Sequence, residues 1–410
     1  MAQKPLSRFI DFTRHNMAVV GITMSTTLVF AFATLYLREN LHVSNFLVGV
    51  AAGLSHVVSV FLSPVAGTLS DRSKSRWGRR RPFIVGGAVF AGASIATLPH
   101  ITNYWLFLVV LSVFFVFSVG YQIPFYALIP EVAPEGSRGA YVMVIGLLRL
   151  IGFALVMGLG GWLWTGNPAW LFYITGATIV LTALVTAASL KDKDAHPLPE
   201  EDKLSIFRNI RRYLADLSGY KNVMFFFAAQ LLWWLGLGAV MPFATIILKE
   251  LYGLEISELV KMTPLVIFAG AILVGSIIIS GILGDRWGHR RVVTAGLSIL
   301  AVGAILAFFA RSAPLLGLSA FVVIIGIAPL FNEPFALLAE LTPKGREGEF
   351  YGLDTISITL SQVPGALIGG AVIDAFGYSS IYLFTAANVL MAILFMRLQR
   401  AKHPKRENLR

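Results

Sequence analysis

Long apolar runs recur along the chain from Met17 to Phe395, and they constrain its fold more than any other feature. Each run approaches the ~20 residues that an α-helix needs to cross a hydrocarbon core of about 30 Å. Strands of a membrane β-barrel would instead alternate apolar and polar residues. Charged residues make up 13% of the chain, whereas soluble domains carry about 25%. The sequence therefore predicts an all-α polytopic membrane protein.

The apolar runs predict twelve transmembrane spans, which we number in chain order. They cover about residues 17–37, 46–69, 82–100, 104–129, 140–163, 170–190, 222–247, 262–284, 292–310, 315–338, 352–373 and 380–396. The first run is too long for a secretory signal peptide, and no small-residue cleavage site follows it. We therefore expect it to be the first helix rather than a cleaved segment.

Lys and Arg residues are strongly biased to one side of the predicted membrane. If the N-terminus is cytoplasmic, the outside segments hold only Arg38, Lys249, Lys261 and Arg311 of the 33 Lys and Arg. Arg149 lies inside span 5, and the others lie in cytoplasmic segments. This positive-inside pattern predicts a plasma (inner) membrane protein with both termini cytoplasmic. The net charge of +11 is thereby explained by loops beside membrane lipid, so no nucleic-acid partner is expected.

One long polar connection, residues 191–221, divides the spans into two groups of six. It contains Pro197 and Pro199, followed by a predicted surface helix. We therefore expect an N-terminal six-helix bundle over residues 1–190, a cytoplasmic linker over 191–221 and a C-terminal six-helix bundle over 222–410.

The two halves of the sequence repeat one another. After span 2, residues 67–81 read GTLSDRSKSRWGRRR, and after span 8, residues 281–291 read GILGDRWGHRR. Span 4 ends with QIPF at residues 122–125, which NEPF at residues 332–335 echoes in span 10. Internal duplication of a six-helix half is typical of alternating-access carriers.

The two loop motifs resemble the signature of the major facilitator superfamily, which recurs between its second and third helices and between its eighth and ninth. The resemblance covers the whole chain and implies the major facilitator fold, with twelve transmembrane helices in two pseudo-symmetric six-helix bundles. In that family the acid at the position of Asp71 or Asp285 ties its loop to the opposite half when the carrier is closed on the cytoplasmic side. The resemblance therefore implies a cytoplasmic gate, built from Asp71, Arg72, Arg76, Gly78, Arg79, Glu131, Arg138, Asp285, Arg286, Gly288, Arg290 and Glu340.

The first copy of the motif is widened by an inserted Ser-Lys-Ser. In this form it resembles the motif of the sugar-carrier branch that contains sucrose/proton symporters and glycoside-pentoside-hexuronide carriers. In melibiose-type carriers two sodium-binding carboxylates correspond to Ser59 and Ser63 of this chain, so the resemblance favours protons over sodium. The acidic sugar-binding residue of that type corresponds to Gln122, a neutral group that can still bind a hydroxyl. Span 5 contains GLGG at residues 158–161 without the proline of the drug-antiporter motif.

Polar residues inside the spans are candidates for binding. Arg149 lies about ten residues into span 5, so at ~1.5 Å per residue it reaches the middle of the bilayer. A cation there costs at least ~2.5 kcal/mol, and its planar fork suits paired hydroxyls or a carboxylate. The alternative is a structural strut or an ion pair with Glu333. The substrate-binding candidates are Arg149, Gln122, Asn332, Gln230, Trp233 and Trp234, and for the last five ordinary helix packing or hydrogen bonding is the alternative role.

Glu333 and His56 are the candidates for proton coupling. Glu333 lies in span 10 beside the helix-breaking Pro334, and a histidine has an unperturbed pKa of about 6.5. Glu333 could alternatively be a gate residue or a structural acid. His56 could alternatively be a packing residue.

These features predict a secondary active transporter that works by alternating access, as a proton-coupled symporter of a sugar or glycoside. We expect it to act as a monomer on a small-molecule substrate, with no cofactor. An exporter of amphipathic small molecules is one alternative, and a non-transporting assembly or receptor protein on the same fold is another. The chain has no Cys, no nucleotide-binding P-loop, no metal-spaced His cluster and no nucleophile elbow, so neither an enzyme nor a metal site is expected.

The topology can be tested in the naturally Cys-free chain. Ser75→Cys, in the first loop motif, should react with a membrane-impermeant maleimide only after the cells are permeabilised. Ser312→Cys, between spans 9 and 10, should react on intact cells because positive-inside bias places it outside. Labelling of both positions on intact cells would contradict the predicted orientation.

Overall fold

The computed structural model describes residues 5–73, 75–132, 138–190, 220–254, 258, 263–342 and 347–399. Within these residues the regular secondary structure is helical and no strand occurs. Twelve stretches of the described chain are helical, long and apolar enough to cross a membrane. The prediction of an all-α protein with twelve spans is thus confirmed. Residues 191–219 of the predicted linker lie outside the described residues.

Spans 1 to 6 follow a first helix, Pro5–Asn16. They are the helices Ala18–Thr27 with Thr34–Glu39, Asn45–Arg72, Arg81–Thr97, Tyr104–Val132, Arg138–Trp164 and Ala169–Ser189. Spans 7 to 12 are the helices Lys221–Val240 with Ala244–Tyr252, Thr263–Trp287, His289–Phe309, Ala313–Ile327 with Glu333–Leu341, Glu347–Phe376 and Ser380–Leu398. The apolar runs therefore located the spans to within a few residues of the helices.

Spans 1, 7 and 10 are interrupted within the membrane. Short 3₁₀ turns, Met241–Phe243 and Ala328–Phe331, break spans 7 and 10, and each contains a proline. Proline lacks the backbone N–H and clashes with the carbonyl of the preceding turn, which explains these two breaks. Span 1 instead widens into a π-helical segment, Leu28–Ala33. π-Helical turns are rare in proteins, and those that occur often lie at functional sites.

Two compact units are distinguished by their internal packing. Unit 1 contains residues Met1–Lys203 together with Ala239–Ile267 and Ala366–Tyr378. Its interior includes Tyr36, whose ring stacks on Phe107 at 6.2 Å and meets Phe172 edge-on at 5.7 Å. All three rings are buried. Unit 1 thus contains spans 1 to 6 and the ends of spans 7 and 11 that are predicted to face outside.

Asp374, at the end of span 11, caps the start of span 2 inside unit 1. Its carboxylate accepts hydrogen bonds from the backbone N–H of Asn45 at 3.0 Å and of Phe46 at 2.8 Å. The Asn45 side-chain amide donates a third bond at 2.8 Å. A carboxylate at this place satisfies free N–H groups of the helix and complements its dipole.

Glu39, at the end of span 1, forms a second polar junction within unit 1. It pairs with Lys249 of span 7 and accepts a hydrogen bond from the indole N–H of Trp164 at 3.0 Å. The hydroxyl of Thr245 donates to the carbonyl of Ala31, in the π-helical segment, at 2.5 Å. These bonds hold the end of span 7 against span 1.

Unit 2 contains residues Leu204–Gly238, Phe268–Gly365 and Ser379–Arg410. Its apolar core is built from spans 7, 9, 10, 11 and 12. Trp233 is fully buried in this core and meets Phe226 edge-on at 6.1 Å. Whether the chain functions as two bundles split at residues 191–221 stays a prediction.

Spans 3 and 6 touch through glycines in unit 1. A Cβ added at Gly92 would lie 2.6 Å from the carbonyl oxygen of Gly176, and one added at Gly176 would lie 2.5 Å from the carbonyl oxygen of Gly92. Backbone contact this close is possible only without side chains, as in small-residue helix pairs of membrane proteins.

Gly92→Ala should therefore destabilise the protein by about 1–3 kcal/mol, because overpacking forces the two helices apart. Gly86→Ala, in the same helix, is the matched control, since its Cβ would meet nothing within 4 Å. The control should keep or raise the melting temperature, because Ala is favoured over Gly in helices by about 1 kcal/mol. Thermal unfolding in detergent measures both, and equal melting temperatures for the two variants would contradict close packing of spans 3 and 6.

Candidate functional site

The glycines of the repeated motif have backbone conformations that other residues rarely adopt. Gly78 has φ of 103° and Gly288 has φ of 89°, a region where any side chain causes strain. Gly78 N–H donates to the carbonyl of Ser75 at 3.1 Å, and Gly288 N–H donates to that of Gly284 at 2.9 Å. The repeated glycine therefore has a structural reason, because each one closes a sharp turn between two spans.

The charged residues of the predicted gate occupy varied surroundings. Arg76, Asp285 and Arg286 are exposed, as is Glu340, while Arg79 and Arg290 are half-buried. The side chains of Asp71, Arg72, Glu131 and Arg138 lie outside the described ones. The role of this set as a cytoplasmic gate stays a prediction.

Arg290 binds the end of span 12 within unit 2. Its Nε donates to the carbonyl oxygen of Met396 at 3.0 Å, and its Nη2 donates to that of Arg397 at 3.1 Å. The last carbonyls of a helix have no partner within the helix and carry its partial negative charge. Arg290 therefore fastens the second loop motif to span 12.

A buried carboxylate and an imidazole meet in unit 2, between spans 9 and 10. Glu333 is 1% exposed, and its Oε2 lies 2.7 Å from His289 Nδ1. Its other oxygen, Oε1, accepts a hydrogen bond from Asn332 Nδ2 at 3.0 Å. When the imidazole is protonated, the contact is a charge-assisted hydrogen bond, which is stronger than a neutral one. Both carboxylate oxygens of Glu333 are thus engaged inside unit 2.

Local backbone structure places this carboxylate. Glu333 begins the helix Glu333–Leu341 after the 3₁₀ break of span 10, so it lies at the positive end of a helix dipole. Asn332 also accepts a hydrogen bond from Ser280 Oγ at 3.3 Å. Gly284 provides the space for this contact, since an added Cβ would collide with Glu333 Oε2 and lie 2.7 Å from His289 Nδ1.

His289 is a site residue that the sequence reasoning did not select. It follows Gly288 where Arg79 follows Gly78 in the first copy, so the replacement of Arg by His in the repeat was an available signal. Its Nε2 lies 3.7 Å from Glu340 Oε1. The imidazole therefore stands between two carboxylates, an arrangement that can hold or pass a proton.

Gln230 and Asp354 form a second buried polar pair in unit 2. Gln230 is 1% exposed and Asp354 is 2% exposed, and the amide Nε2 donates to Asp354 Oδ1 at 2.7 Å. Sequence analysis proposed Gln230 for substrate binding and did not pair it with Asp354. Trp233 lies in the core, and Trp234 packs half-buried against it. Substrate contact by these three side chains stays a prediction.

Arg149 and Gln122 belong to a polar patch on unit 1. Arg149 is exposed, and its guanidinium carbon lies 6.0 Å from the ring centre of Tyr126. Gln122 lies one turn before Tyr126 on span 4 and donates to Ser118 Oγ at 2.7 Å. Ser118, Gln122 and Tyr126 are four residues apart, so they share one face of the helix. The patch offers a cation, an aromatic ring and an amide together.

His56 lies half-buried on span 2, with its ring centre 5.9 Å from that of Phe30 in the π-helical segment. Ser59 Oγ donates to the carbonyl of Ser55 at 2.8 Å, and Ser63 Oγ donates to that of Ser59 at 2.6 Å. Both hydroxyls thus bind the backbone of their own helix. Among the described residues no group of three His, Asp or Glu is placed to hold a metal ion.

Known proteins resemble the whole chain. A family model described as MFS/sugar transport protein matches residues 15–398. The multi-drug resistance efflux pump PmrA of Streptococcus pneumoniae serotype 4 is 25% identical over 390 residues, covering 92% of each chain.

Two solved structures share the fold of the chain. A crystal structure of the nucleoside transporter NupG has a TM-score of 0.77 at 13% identity, covering 96% of this chain and 99% of that one. A crystal structure of a D-xylose-proton symporter has a TM-score of 0.73 at 16% identity, covering 96% and 98%. The expectation of the major facilitator fold is thereby confirmed.

The pairing of Glu333 with His289 can be tested by a double-mutant cycle. His289→Gln should lower the unfolding free energy by about 1–3 kcal/mol, because the buried carboxylate of Glu333 loses the imidazole that contacts it. The double variant His289→Gln/Glu333→Gln should recover most of the loss, since two neutral amides can bond to each other. Arg291→Gln is the control: this exposed cation lies in the same helix, and its loss should change stability by no more than about 0.5 kcal/mol. Thermal unfolding measures all four, and strictly additive single effects would rule out the pair.

Proposed function

The chain belongs to the MFS/sugar transport protein family of the major facilitator superfamily, and from this premise we propose that it is a proton-coupled symporter of a sugar or glycoside. As a member, it is an integral membrane transporter. The proposal adds the solute class, the coupling ion and the residues that bind each.

The polar patch on unit 1 carries the proposal for the solute. Arg149 forms no ion pair with any described carboxylate, so its charge is available to a solute. Its rigid fork can donate two parallel hydrogen bonds to neighbouring hydroxyls or to a sugar carboxylate. Tyr126, beside it, offers an aromatic face, and Gln122 offers an amide that can bind a further hydroxyl.

The environment of Arg149 argues against a purely structural role. A cation in the middle of a span is costly unless it meets water or an acceptor. Glu333, the acid that could have neutralised it, already has His289 and Asn332 on its two oxygens. A mid-span arginine that is exposed and lacks a described carboxylate partner is best explained by a polar solute.

Proton coupling is supported by the acids and imidazoles of the spans. The Glu333–His289 pair places a carboxylate oxygen 2.7 Å from an imidazole nitrogen, so two groups that can bind a proton are in direct contact. His56 provides a second titratable group on span 2. Sodium coupling is less well supported, since Ser59 and Ser63 are neutral where melibiose-type carriers have two carboxylates.

Export of amphipathic compounds is the second candidate, favoured by the similarity to PmrA, whose name describes a multi-drug resistance efflux pump. The chain departs from the drug-antiporter motif at residues 158–161, which read GLGG. An available arginine cation also repels the cationic amphiphiles that many exporters carry. We therefore rank export second.

A binding screen on purified protein separates the two candidates. Sucrose, melibiose and glucuronate should raise the melting temperature if they bind the folded state, by mass action, whereas ethidium should not. Arg149→Lys and Arg149→Gln should both abolish the shift and leave the melting temperature without solute nearly unchanged. Arg311→Gln, which removes a cation from the predicted outside loop, is the control and should keep the shift.

Uptake of the stabilising sugar into proteoliposomes tests the coupling. An imposed inward proton gradient should drive accumulation, and exchanging sodium for potassium should have no effect. Stabilisation by ethidium with none by the sugars would favour the exporter. Loss of folded protein in Arg149→Gln would defeat the role of this residue as a solute ligand.

A further inference from the structure

We infer that Asp354 is a proton-binding site of the transporter, protonated while it is buried against Gln230. When the pair separates, the acid releases its proton to water and becomes a carboxylate. This inference deepens the proposed function, on whose proton coupling its transport role rests. It adds a site on span 11 to the candidates Glu333 and His56.

The Asp354 carboxyl is buried without a neighbouring cation. Asp354 is 2% exposed, and among the described residues no Lys, Arg or His lies within ion-pair distance of it. Transfer of a lone ionised carboxylate out of water is far more costly than transfer of the neutral acid. Glu333, by comparison, is equally buried but has an imidazole beside it. Asp354 has only a neutral amide, so the protonated acid is the form that suits its surroundings.

The side-chain amide of Gln230 has a hydrogen-bond acceptor that is not used. Gln230 Nε2 donates to Asp354 Oδ1 at 2.7 Å, while Gln230 Oε1 is buried with no partner among the described residues. An ionised carboxylate can only accept hydrogen bonds, whereas a protonated acid also has one O–H to donate. A carboxylic acid and a primary amide can exchange two hydrogen bonds, so a proton on Asp354 provides the donor that the amide oxygen lacks.

Apolar residues flank both members of the pair along the chain. Ala229 and Leu353, the chain neighbours of Gln230 and Asp354, belong to the core of unit 2. Among the described side chains, the other titratable and charged groups on or next to the helices of that core are Tyr220, Lys221, His289, Arg290, Arg291, Glu333, Glu340, Tyr351, Asp374, Tyr382 and Arg397. The described contacts place none of them within hydrogen-bond or ion-pair distance of the Asp354 carboxyl, and Tyr351 instead donates to the carbonyl of Phe335 at 3.1 Å.

A polar face of span 11 extends from Asp354. Ser357 Oγ donates to the backbone carbonyl of Asp354 at 2.9 Å, and Ser361 Oγ donates to that of Ser357 at 2.5 Å. The three residues follow the i, i+3, i+7 spacing of one helix face. Hydroxyl groups therefore continue the polar face of span 11 beyond Asp354.

The same helix contains a natural reference acid. Asp374 is exposed and accepts three hydrogen bonds from N–H groups at the start of span 2. Asp354 and Asp374 therefore differ in burial and in hydrogen-bond partners, while they have the same side chain and lie on the same helix.

Infrared spectroscopy of the purified full-length protein at neutral pH tests the inference directly. The C=O stretching band of a protonated carboxylic acid is separate from carboxylate bands, and aspartate labelled with ¹³C at its carboxyl group shifts the bands of Asp alone. A protonated Asp band should be present in the wild type, absent in Asp354→Asn and retained in Asp374→Asn. An unchanged band in Asp354→Asn would overturn the inference.

If Asp354→Asn does not fold, Gln230→Leu tests the protonation of Asp354 instead. It keeps the acid and removes its amide partner, so the protonated Asp band should move, and an unmoved band would overturn the inference. Because this readout needs no transport, its outcome is separate from that of the proposed function. Uptake that ignores a proton gradient would defeat the proposed coupling, yet a band that disappears in Asp354→Asn would still establish the proton site.

Discussion

Hydrocarbon offers no hydrogen-bond partners, so each polar group inside the spans has to find one within the protein. Regular helices satisfy this requirement for the backbone, and interrupted spans need substitutes. The π-helical segment of span 1 receives one from Thr245, whose hydroxyl binds the carbonyl of Ala31. At the break of span 10, the new helix presents its positive end to the carboxylate of Glu333. The interruptions are therefore the places where side chains are drawn into specific positions.

The same requirement sets different conditions for each carboxylate. Asp374 has three N–H donors and exposure, Glu333 has an imidazole and an amide, and Asp354 has one amide. Donors and cations favour the charged form, whereas burial favours the neutral one. These acids thus form a series from capping group to titratable pair to buried acid. Hydrogen-bond partners and burial, rather than residue type, therefore distinguish the three acids.

The spans could be predicted because hydropathy depends on composition within about 20 residues. The repeated glycines could be predicted because a turn with positive φ leaves a local mark in both copies, at Gly78 and Gly288. The pairing of Glu333 with His289 could not, because it depends on how two helices are rotated and at what depth they meet. Pro334 indicated an interruption in span 10, but no residue of similar strength indicated the π-helical segment of span 1. The sequence therefore identified Glu333 as unusual without identifying its partner.

A symporter requires two ligands to bias one conformational equilibrium, and the charges of this chain suit that division. The guanidinium of Arg149 has hydrogen-bond donors and no acceptor, so it suits a solute with hydroxyl or carboxylate groups. The acids of unit 2 can change charge, and each such change in an apolar interior has a large free-energy consequence. Binding at either place alters the other only if both shift the same equilibrium, and that coupling is reciprocal. In the proposed function, Arg149 on unit 1 would bind the solute and the acids of unit 2 would bind the proton.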